Sequence, residues 1–310
     1  MTKILSNRIT KNVIKKLLAG QDYRIEIVNQ INEDFLRYVI DFFKKVVSAK
    51  LKNKGITLDW YRKEFLSDKL NSEDLAINSG LNKKTISNMY NSATREIVLE
   101  ASKEHYDILY GTINALISGE PEVDLTLTIK FKGVSVDLSI SESLVVINNL
   151  AVKRAALRGG LWSAIGKRVE GPLMLTLCKL YNLNAKNFSL KIEGGGKASY
   201  GNFEREIDFF LKNKDEIYKC EVKLMGKGNP ESADAFIARE SRIFIADKLS
   251  DKNKNQFDSL GAQWVELRSK EGFRRFEKIL KKLKIPYSEL PKDINKRIDC
   301  ILDEIIKKDN

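Results

Sequence analysis

The hydrophobic residues of this chain change their spacing along its length, and that restricts the folds open to it. Ile27, Ile31, Phe35, Val39, Phe43 and Val46 recur every three or four residues, the period of an amphipathic helix. Helical character is expected through residue 120. Between Glu122 and Ile140 the period becomes two: Val123, Leu125, Leu127, Ile129 and Phe131 alternate with polar residues. Lys132-Gly133 interrupts that run before Val134, Val136, Leu138 and Ile140, which predicts a β-hairpin. A helix over Ser143–Arg158 should follow, ending at Gly159-Gly160. Next come a helix over Leu161–Tyr181 and strands at Phe188–Ile192, Glu204–Leu211 and Ile217–Met225. A short helix near Ser232–Arg239, a strand at Arg242–Ala246, a helix near Asn253–Leu260 and a strand at Trp264–Leu267 complete the pattern. The order α-β-β-β-α-β, with one extra helix and strand, predicts an α/β core and an α+β chain overall. Two amphipathic helices close it: Phe273, Phe276, Leu280 and Leu283 line the first, which Pro286 stops, and Ile294, Ile298, Ile301 and Ile305 line the second. The expected divisions are 1–120 (helical), 121–160 (hairpin and connecting helix), 161–285 (core) and 286–310 (terminal helix).

The charge balance narrows the chemistry. Over 310 residues the net charge is +12, and 31% of residues are charged. That excess favours a polyanionic partner, nucleic acid first, although a Lys-rich composition alone also produces it. His105 is the single histidine, which excludes His-based triads, His-ligated zinc and His proton relays, so any catalysis must use carboxylates and lysines. Cys178, Cys220 and Cys300 form no CxxC pair and are expected to be reduced in a cytoplasmic protein. No apolar run reaches the roughly 18 residues of a membrane span, and no signal-peptide core is apparent at the N-terminus.

One cluster proposes a reaction. Asp208 is followed after twelve residues by Glu221-Val222-Lys223. Side chains alternate faces on a strand, so Lys219, Glu221 and Lys223 share one face, as do Glu204, Glu206 and Asp208 on the preceding strand. The short turn Lys212–Asp215 can set Asp208 and Glu221 on one surface. Such a carboxylate pair suits a hard cation such as Mg²⁺, which takes oxygen ligands. Lys223 would offset charge on a phosphate in the transition state. Glu170, on the helix before the sheet with Ser163 and Gly166 or Lys167 near one face, offers a third acid, although Pro172 should kink or begin a helix beside it. The loop Gly226–Glu231, with Lys227 and Asn229, lies just beyond the Glu-x-Lys strand as a candidate backbone contact. The alternative is a pair of solvated strand faces carrying chance charges.

The element order with Asp208, Glu221 and Lys223 resembles the PD-(D/E)XK nuclease superfamily over about residues 160 to 270. The stretch Glu221 to Asp234 (EVKLMGKGNPESAD), followed by Phe244 to Ser250 (FIADKLS), resembles the CfrBI-type restriction endonucleases in particular. Ile207 stands where the superfamily name has Pro, a loosely specified position. The resemblance implies a helical N-terminal region and a restriction-endonuclease-like core, a mixed β-sheet flanked by helices. It implies Mg²⁺ with a metal set of Asp208, Glu221 and Val222, Lys223 as the catalytic lysine and Glu170 as an accessory carboxylate. Whether Glu170, Glu204 or Glu206 assists the metal stays open.

A second motif lies at Glu73 to Tyr90. Ala76, Gly80 and Ile86 have the small, turn and buried spacing of a helix-turn-helix, and Leu75, Leu81 and Met89 supply the remaining apolar contacts. Its second helix would present Lys83, Lys84, Thr85, Ser87 and Asn88 to DNA; a plain helical hairpin is the alternative. The leading expectation is therefore a homodimeric type II restriction endonuclease, cutting double-stranded DNA at a short sequence with Mg²⁺. A cognate DNA methyltransferase would be its genetic partner, and no membrane partner is expected. A repair nuclease or junction resolvase, or a non-catalytic helix-turn-helix regulator, are the alternatives.

Overall fold

The computed structural model describes residues 3–52, 55–81, 83–119, 126–190, 197–200, 203–206, 209–214, 216–224 and 240–308. The chain divides into two compact units: residues 28–161, and residues 1–27 together with 162–310.

The 28–161 unit is mainly helical. It contains most of α2 (Arg24–Leu51), then α3 (Leu58–Phe65), α4 (Ser72–Asn78), α5 (Lys83–Tyr90) and α6 (Arg95–Gly119). Phe42 and Val46 of α2 meet Tyr61 and Phe65 of α3, Tyr106 of α6 and Ile129 and Val136 of the hairpin in one buried cluster. Tyr61 stacks on Tyr106 with ring centroids 4.1 Å apart, and its hydroxyl donates to the Asn78 carbonyl at 2.6 Å. A buried phenol needs that partner. The hairpin forms as the period-two pattern predicts: β1 (Leu127–Phe131) pairs antiparallel with β2 (Val134–Leu138). Its two turn residues, Lys132 (φ 50°) and Gly133 (φ 82°), both take positive φ, as the tight turns that match strand twist require.

Ser139 and Glu142 then start α7 (Ile140–Leu180) with a reciprocal cap. Glu142 N–H donates to Ser139 Oγ (3.4 Å), and Ser139 N–H donates to Glu142 Oε2 (2.9 Å). The Glu142 carboxylate also accepts from Ile56 N–H at 2.7 Å and Lys50 Nζ at 2.9 Å. Contrary to the sequence expectation, α7 does not stop at Gly159-Gly160 but continues through it as one helix. Glycine retains its N–H and costs a helix only about 1 kcal/mol relative to alanine, and the apolar stripe Leu161, Ile165, Val169, Leu173 continues beyond it, buried. Pro172 lies inside this helix, where its carbonyl accepts from Thr176 Oγ1 at 2.7 Å.

The other unit holds a five-stranded mixed sheet flanked by helices. Its strand order is β3 (Phe188–Ser189), β6 (Phe209–Lys212), β7 (Ile217–Lys223), β8 (Ile243–Ala246) and β9 (Gln263–Glu266). β3, β6 and β7 are antiparallel neighbours, whereas β7, β8 and β9 are parallel. Parallel neighbours need a crossover, and α8 (Asp251–Ser259) supplies it between β8 and β9. Ser250 caps α8 through Asn253 N–H. Phe257 of α8 packs on Phe244 of β8, centroids 4.8 Å apart and both rings buried. On the other face Cys178 of α7 sits close to Cys220 of β7; burial first, then that neighbour, pushes the Cys178 thiol well up. The chain ends with α9 (Arg275–Lys282), packed by Phe276, Ile279 and Leu280, and α10 (Ile294–Lys308). α10 is tied to α1 (Lys3–Leu18) by Lys11–Asp303 at 2.8 Å and Lys15–Asp299 at 3.0 Å.

The two described ends of the expected strand Glu204–Leu211 pair in different sheets, and residues 207–208 between them lie outside the described residues. β5 (Phe203–Glu206) pairs with β4 (Lys197–Tyr200) as a separate antiparallel hairpin, while Phe209–Lys212 joins the main sheet. Alternation alone cannot separate them, because it does not specify which strand each half pairs with, and Phe209–Leu211 is buried on both faces. The helix expected near 232–239 lies outside the described residues.

Candidate active site

β7 has a neighbour on either side, so side chains at its middle enter packed layers. Glu221 is fully buried there. A lone buried carboxylate is costly and normally acquires a cation. Lys223, two residues on and therefore on the same face, places Nζ 2.9 Å from Glu221 Oε1 while a quarter of its side chain remains exposed. Lys219, the third residue of that face, reaches out to Glu240 at 3.1 Å. Cys220 and Val222 point the other way and are fully buried, as alternation requires.

The register maps this face across the sheet. Glu221 pairs with Phe244, which pairs with Trp264; Lys223 pairs with Ala246, which pairs with Glu266. Glu266 is held by Lys254 at 2.8 Å, and that hydrogen bond raises the lysine above its ordinary range. Arg275 lies 3.5 Å from the Trp264 ring centroid and donates from Nε to the Trp264 carbonyl at 2.8 Å, covering the edge strand.

Asp247 escapes reasoning from sequence motifs. It directly follows the apolar run of β8, is fully buried, and falls on the face opposite Glu221. Its Oδ2 accepts from Arg24 Nη2 at 3.1 Å and lies 3.9 Å from Arg268 Nη1. Asp22 bridges the same two arginines at 3.0 and 3.2 Å, giving a ring of alternating charge. Burial, then Asp247, pushes the nearby Tyr23 phenol up. The signals for Asp247 are an acid at the end of a wholly apolar strand and its place in the FIADKLS stretch, where the resemblance gives it no role.

The other residues proposed from the sequence fall on several elements or outside the described residues. Asp208 precedes Phe209 in sequence and lies outside the described residues, as do Lys227 and Asn229. Phe209 is paired with Cys220, the residue before Glu221. Glu170 lies on α7, partly exposed, between buried Val169 and Leu173. Glu204 and Glu206 belong to β5, in the separate hairpin. Val222 has a buried side chain, so only its main-chain carbonyl has the chemistry of an oxygen ligand. Among the described residues no group of three His, Cys, Asp or Glu side chains gathers for a metal. Glu221 with the Val222 carbonyl is an all-oxygen set of the kind a hard cation takes.

In the helical unit, Gly80 (φ 90°) makes the turn between α4 and α5. An added Cβ would sit 3.3 Å from His105 Cε1. His105 Nδ1 is 2.8 Å from the Ser79 carbonyl, so the single histidine braces this turn. Leu75, Ala76 and Ile86 are buried with Val98 and Ala101 of α6, and Leu81 packs against them. Met89 departs from expectation: it is 58% exposed, because an eight-residue helix turns it away from α6. Thr85 is partly buried, and Ser87 and Asn88 face solvent. Lys83 and Lys84 begin α5.

No curated protein and no solved structure matches this chain. No helix among the described residues is long and apolar enough to cross a membrane. The family model described as CfrBI restriction endonuclease matches residues 7–254, most of the chain and both units. With a buried Glu-x-Lys pair at the end of a central strand inside the matched span, the chain belongs to the CfrBI restriction endonuclease family and is a DNA-cleaving hydrolase.

Proposed function

We propose that this restriction endonuclease is of type II, hydrolysing one phosphodiester in each strand of a short duplex sequence with Mg²⁺. The observation that carries the reading is the fully buried Glu221 carboxylate beside Lys223 at the end of β7. We assign Asp208, Glu221 and the Val222 carbonyl as the residues that hold the ion, and Glu170 as an accessory acid. When bound, the ion polarises the scissile phosphate and makes water a competent nucleophile at neutral pH. Glu221 fixes the ligand set on a rigid central strand, where position is least tolerant of drift. Lys223 brings an ammonium to the same face, where it neutralises phosphate oxygens and donates hydrogen bonds to them. The antiparallel order of β3, β6 and β7, with β8 parallel to β7, supports a PD-(D/E)XK core.

The α4–α5 pair is our candidate helix-turn-helix, with Lys83, Lys84, Thr85, Ser87 and Asn88 toward DNA; Lys227 and Asn229 are further candidate contacts. A homodimer would match a palindromic site, and a cognate methyltransferase would protect the same sequence in the cytoplasm. The family match favours restriction over a repair nuclease or a regulator. The test is incubation with plasmid and phage DNA, with and without Mg²⁺, for the wild type, Asp208→Ala and Lys223→Ala. Discrete metal-dependent fragments, lost in both variants, are expected. Sequence-specific binding without cleavage in any divalent metal would overturn the catalytic reading in favour of the regulator.

A further inference from the structure

The positive charge of this chain is unevenly divided. Residues 28–161 contain 18 Lys and Arg against 17 Asp and Glu, out of 54 and 42 in the whole chain. Nearly all of the net charge of +12 therefore lies in residues 1–27 and 162–310. The densest part runs from Lys270 to Lys284, through α9. Lys270, Arg274, Lys278, Lys281, Lys282 and Lys284 are all exposed. Two acids interrupt them: Glu271 is engaged by Lys278 at 2.6 Å, which lowers its pKa, and Glu277 accepts from the Tyr287 hydroxyl. Among the described residues, Lys270, Arg274, Lys281, Lys282 and Lys284 form no ion pair. Long side chains without acidic partners, on α9 and in the turns directly before and after it, are poorly explained by surface stability alone.

We propose that this basic face of α9 is a phosphate-contact surface for duplex DNA flanking the cleaved bond. Three observations carry it. The row Glu221, Phe244, Trp264 leads across the sheet to Arg275 at the start of α9. At about 4.8 Å per strand, β9, whose Trp264 ring Arg275 covers, lies roughly 10 Å from the strand that bears Glu221. That lies well within the half-turn of duplex, about 17 Å, next to a cut phosphate. Next, Arg274 to Lys282 rises about 12 Å along the helix, enough for roughly three successive phosphates of one strand. Finally, Phe276, Ile279 and Leu280, the apolar side of α9, are buried. The helix has no apolar face left to insert into a lipid surface, which a membrane-binding amphipathic helix needs.

The inference rests on the chain acting on duplex DNA, and its test separates binding from cutting. Arg274→Ala/Lys281→Ala/Lys282→Ala removes three charges and leaves the Glu271–Lys278 pair intact. Fluorescence anisotropy with a duplex oligonucleotide in Ca²⁺, from 50 to 200 mM KCl, reads the dependence of log K on log salt. Each lost phosphate contact should flatten that slope by about 0.9, so the triple variant should lose about 2.7 per protomer on the duplex, about 5.4 for a dimer. Its affinity would then fall about 40-fold less per bound protomer than the wild type's over that salt range. The single-turnover cleavage rate at saturating enzyme should stay within about twofold of the wild type. A slope unchanged within about 0.5 overturns the proposal, as does a lost single-turnover rate at unchanged slope. Should the triple variant unfold, Arg274→Gln/Lys281→Gln/Lys282→Gln is read in the same way. A wild type that binds but never cuts refutes the nuclease reading alone, and the slopes still decide this one.

Discussion

Removing Lys223 should destabilise the protein as well as disable it, and the size of the effect follows from the burial of its partner. The ammonium is 2.9 Å from a Glu221 oxygen, and Glu221 has no solvent exposure. At an effective dielectric near 20, a pair at that distance is worth roughly 6 kcal/mol of attraction before desolvation. Much of this is offset by the cost of burying the carboxylate. Deleting one partner of a buried pair typically costs about 3–5 kcal/mol. Because a quarter of the Lys223 side chain is exposed, water can enter after truncation, and Lys223→Ala should fall near the lower end, about 3 kcal/mol. Glu221→Gln should cost less, about 1 kcal/mol, since the lysine it releases can reach solvent. The double variant should then recover about 2 kcal/mol relative to the sum of the singles. Urea unfolding in EDTA, followed by tryptophan fluorescence, measures all three. With a slope of about 2 kcal/mol/M, Lys223→Ala moves the midpoint by about 1.5 M. Mg²⁺ should stabilise Lys223→Ala more than wild type, because a cation that binds Glu221 replaces the missing ammonium. A Lys223→Ala midpoint equal to that of the wild type, or singles that simply add, would refute the reasoning.

Glu142→Ala leaves the Ile56 and Ser139 N–H groups without their acceptor and should cost about 3 kcal/mol in urea unfolding at pH 7. Burial would raise the Glu142 carboxyl, but the Ile56, Lys50 and Ser139 donors outweigh it and hold it below 4.5; its contribution is therefore present above pH 4.5 and lost as pH falls through the depressed value, so the variant should show a shallower acid limb. Gly80→Ala, at φ 90° and 3.3 Å from His105, should lower stability by about 1–2 kcal/mol; an unchanged melting temperature would contradict the strained turn. In the native protein a thiol reagent should label Cys300 and spare buried Cys178 and Cys220, and mass mapping that finds label on either buried thiol would count against the packing of α7 on β7. Asn88→Ala, on the proposed reading helix, should reduce discrimination between cognate and altered sites by about 1–3 kcal/mol and leave the salt slope unchanged; an equal loss of affinity for every sequence would exclude base reading.

Where a pattern and its partner are close in sequence, the fold is legible. The hairpin around Lys132-Gly133 joins two strands three residues apart, and its alternation and turn residues specify the same register. The apolar stripes of α2, α9 and α10 each describe a single helix. The pairing of Glu221 with Lys223 follows from period two alone. Expectation and structure part where the deciding contact is distant or where a local rule is weaker than packing. Gly159-Gly160 has the composition of a helix end, yet the buried stripe from Leu161 onward continues α7. Phe203–Glu206 and Phe209–Lys212 read as one strand but belong to different sheets, since Lys197–Tyr200 captures the first. Met89 fits the spacing of a core position but belongs to a helix too short for spacing to identify its buried side. Asp247 has no local signature of its partners: Arg24 lies 223 residues away in sequence.

The charge division bears on how the two parts of such an enzyme would share the substrate. Phosphate contacts supply salt-dependent affinity without sequence information, whereas base-edge contacts supply discrimination. A nearly neutral 28–161 unit has little means of holding DNA by charge alone. If α5 reads bases with Lys83, Lys84, Thr85, Ser87 and Asn88, it does so from a unit whose charges nearly cancel. The net charge resides in the unit that also carries Glu221 and Lys223, with its densest stretch along α9. On that proposal grip and chemistry would belong to one compact unit, with α9 adding affinity and β7 the reacting groups. A weakly attractive reading unit has a corresponding advantage, because its contacts are not overwhelmed by non-specific affinity and a wrong base changes the bound fraction more. On this reasoning, adding lysines to the exposed face of α5 would raise affinity for all DNA and lower selectivity, whereas removing them from α9 would weaken binding and leave selectivity intact.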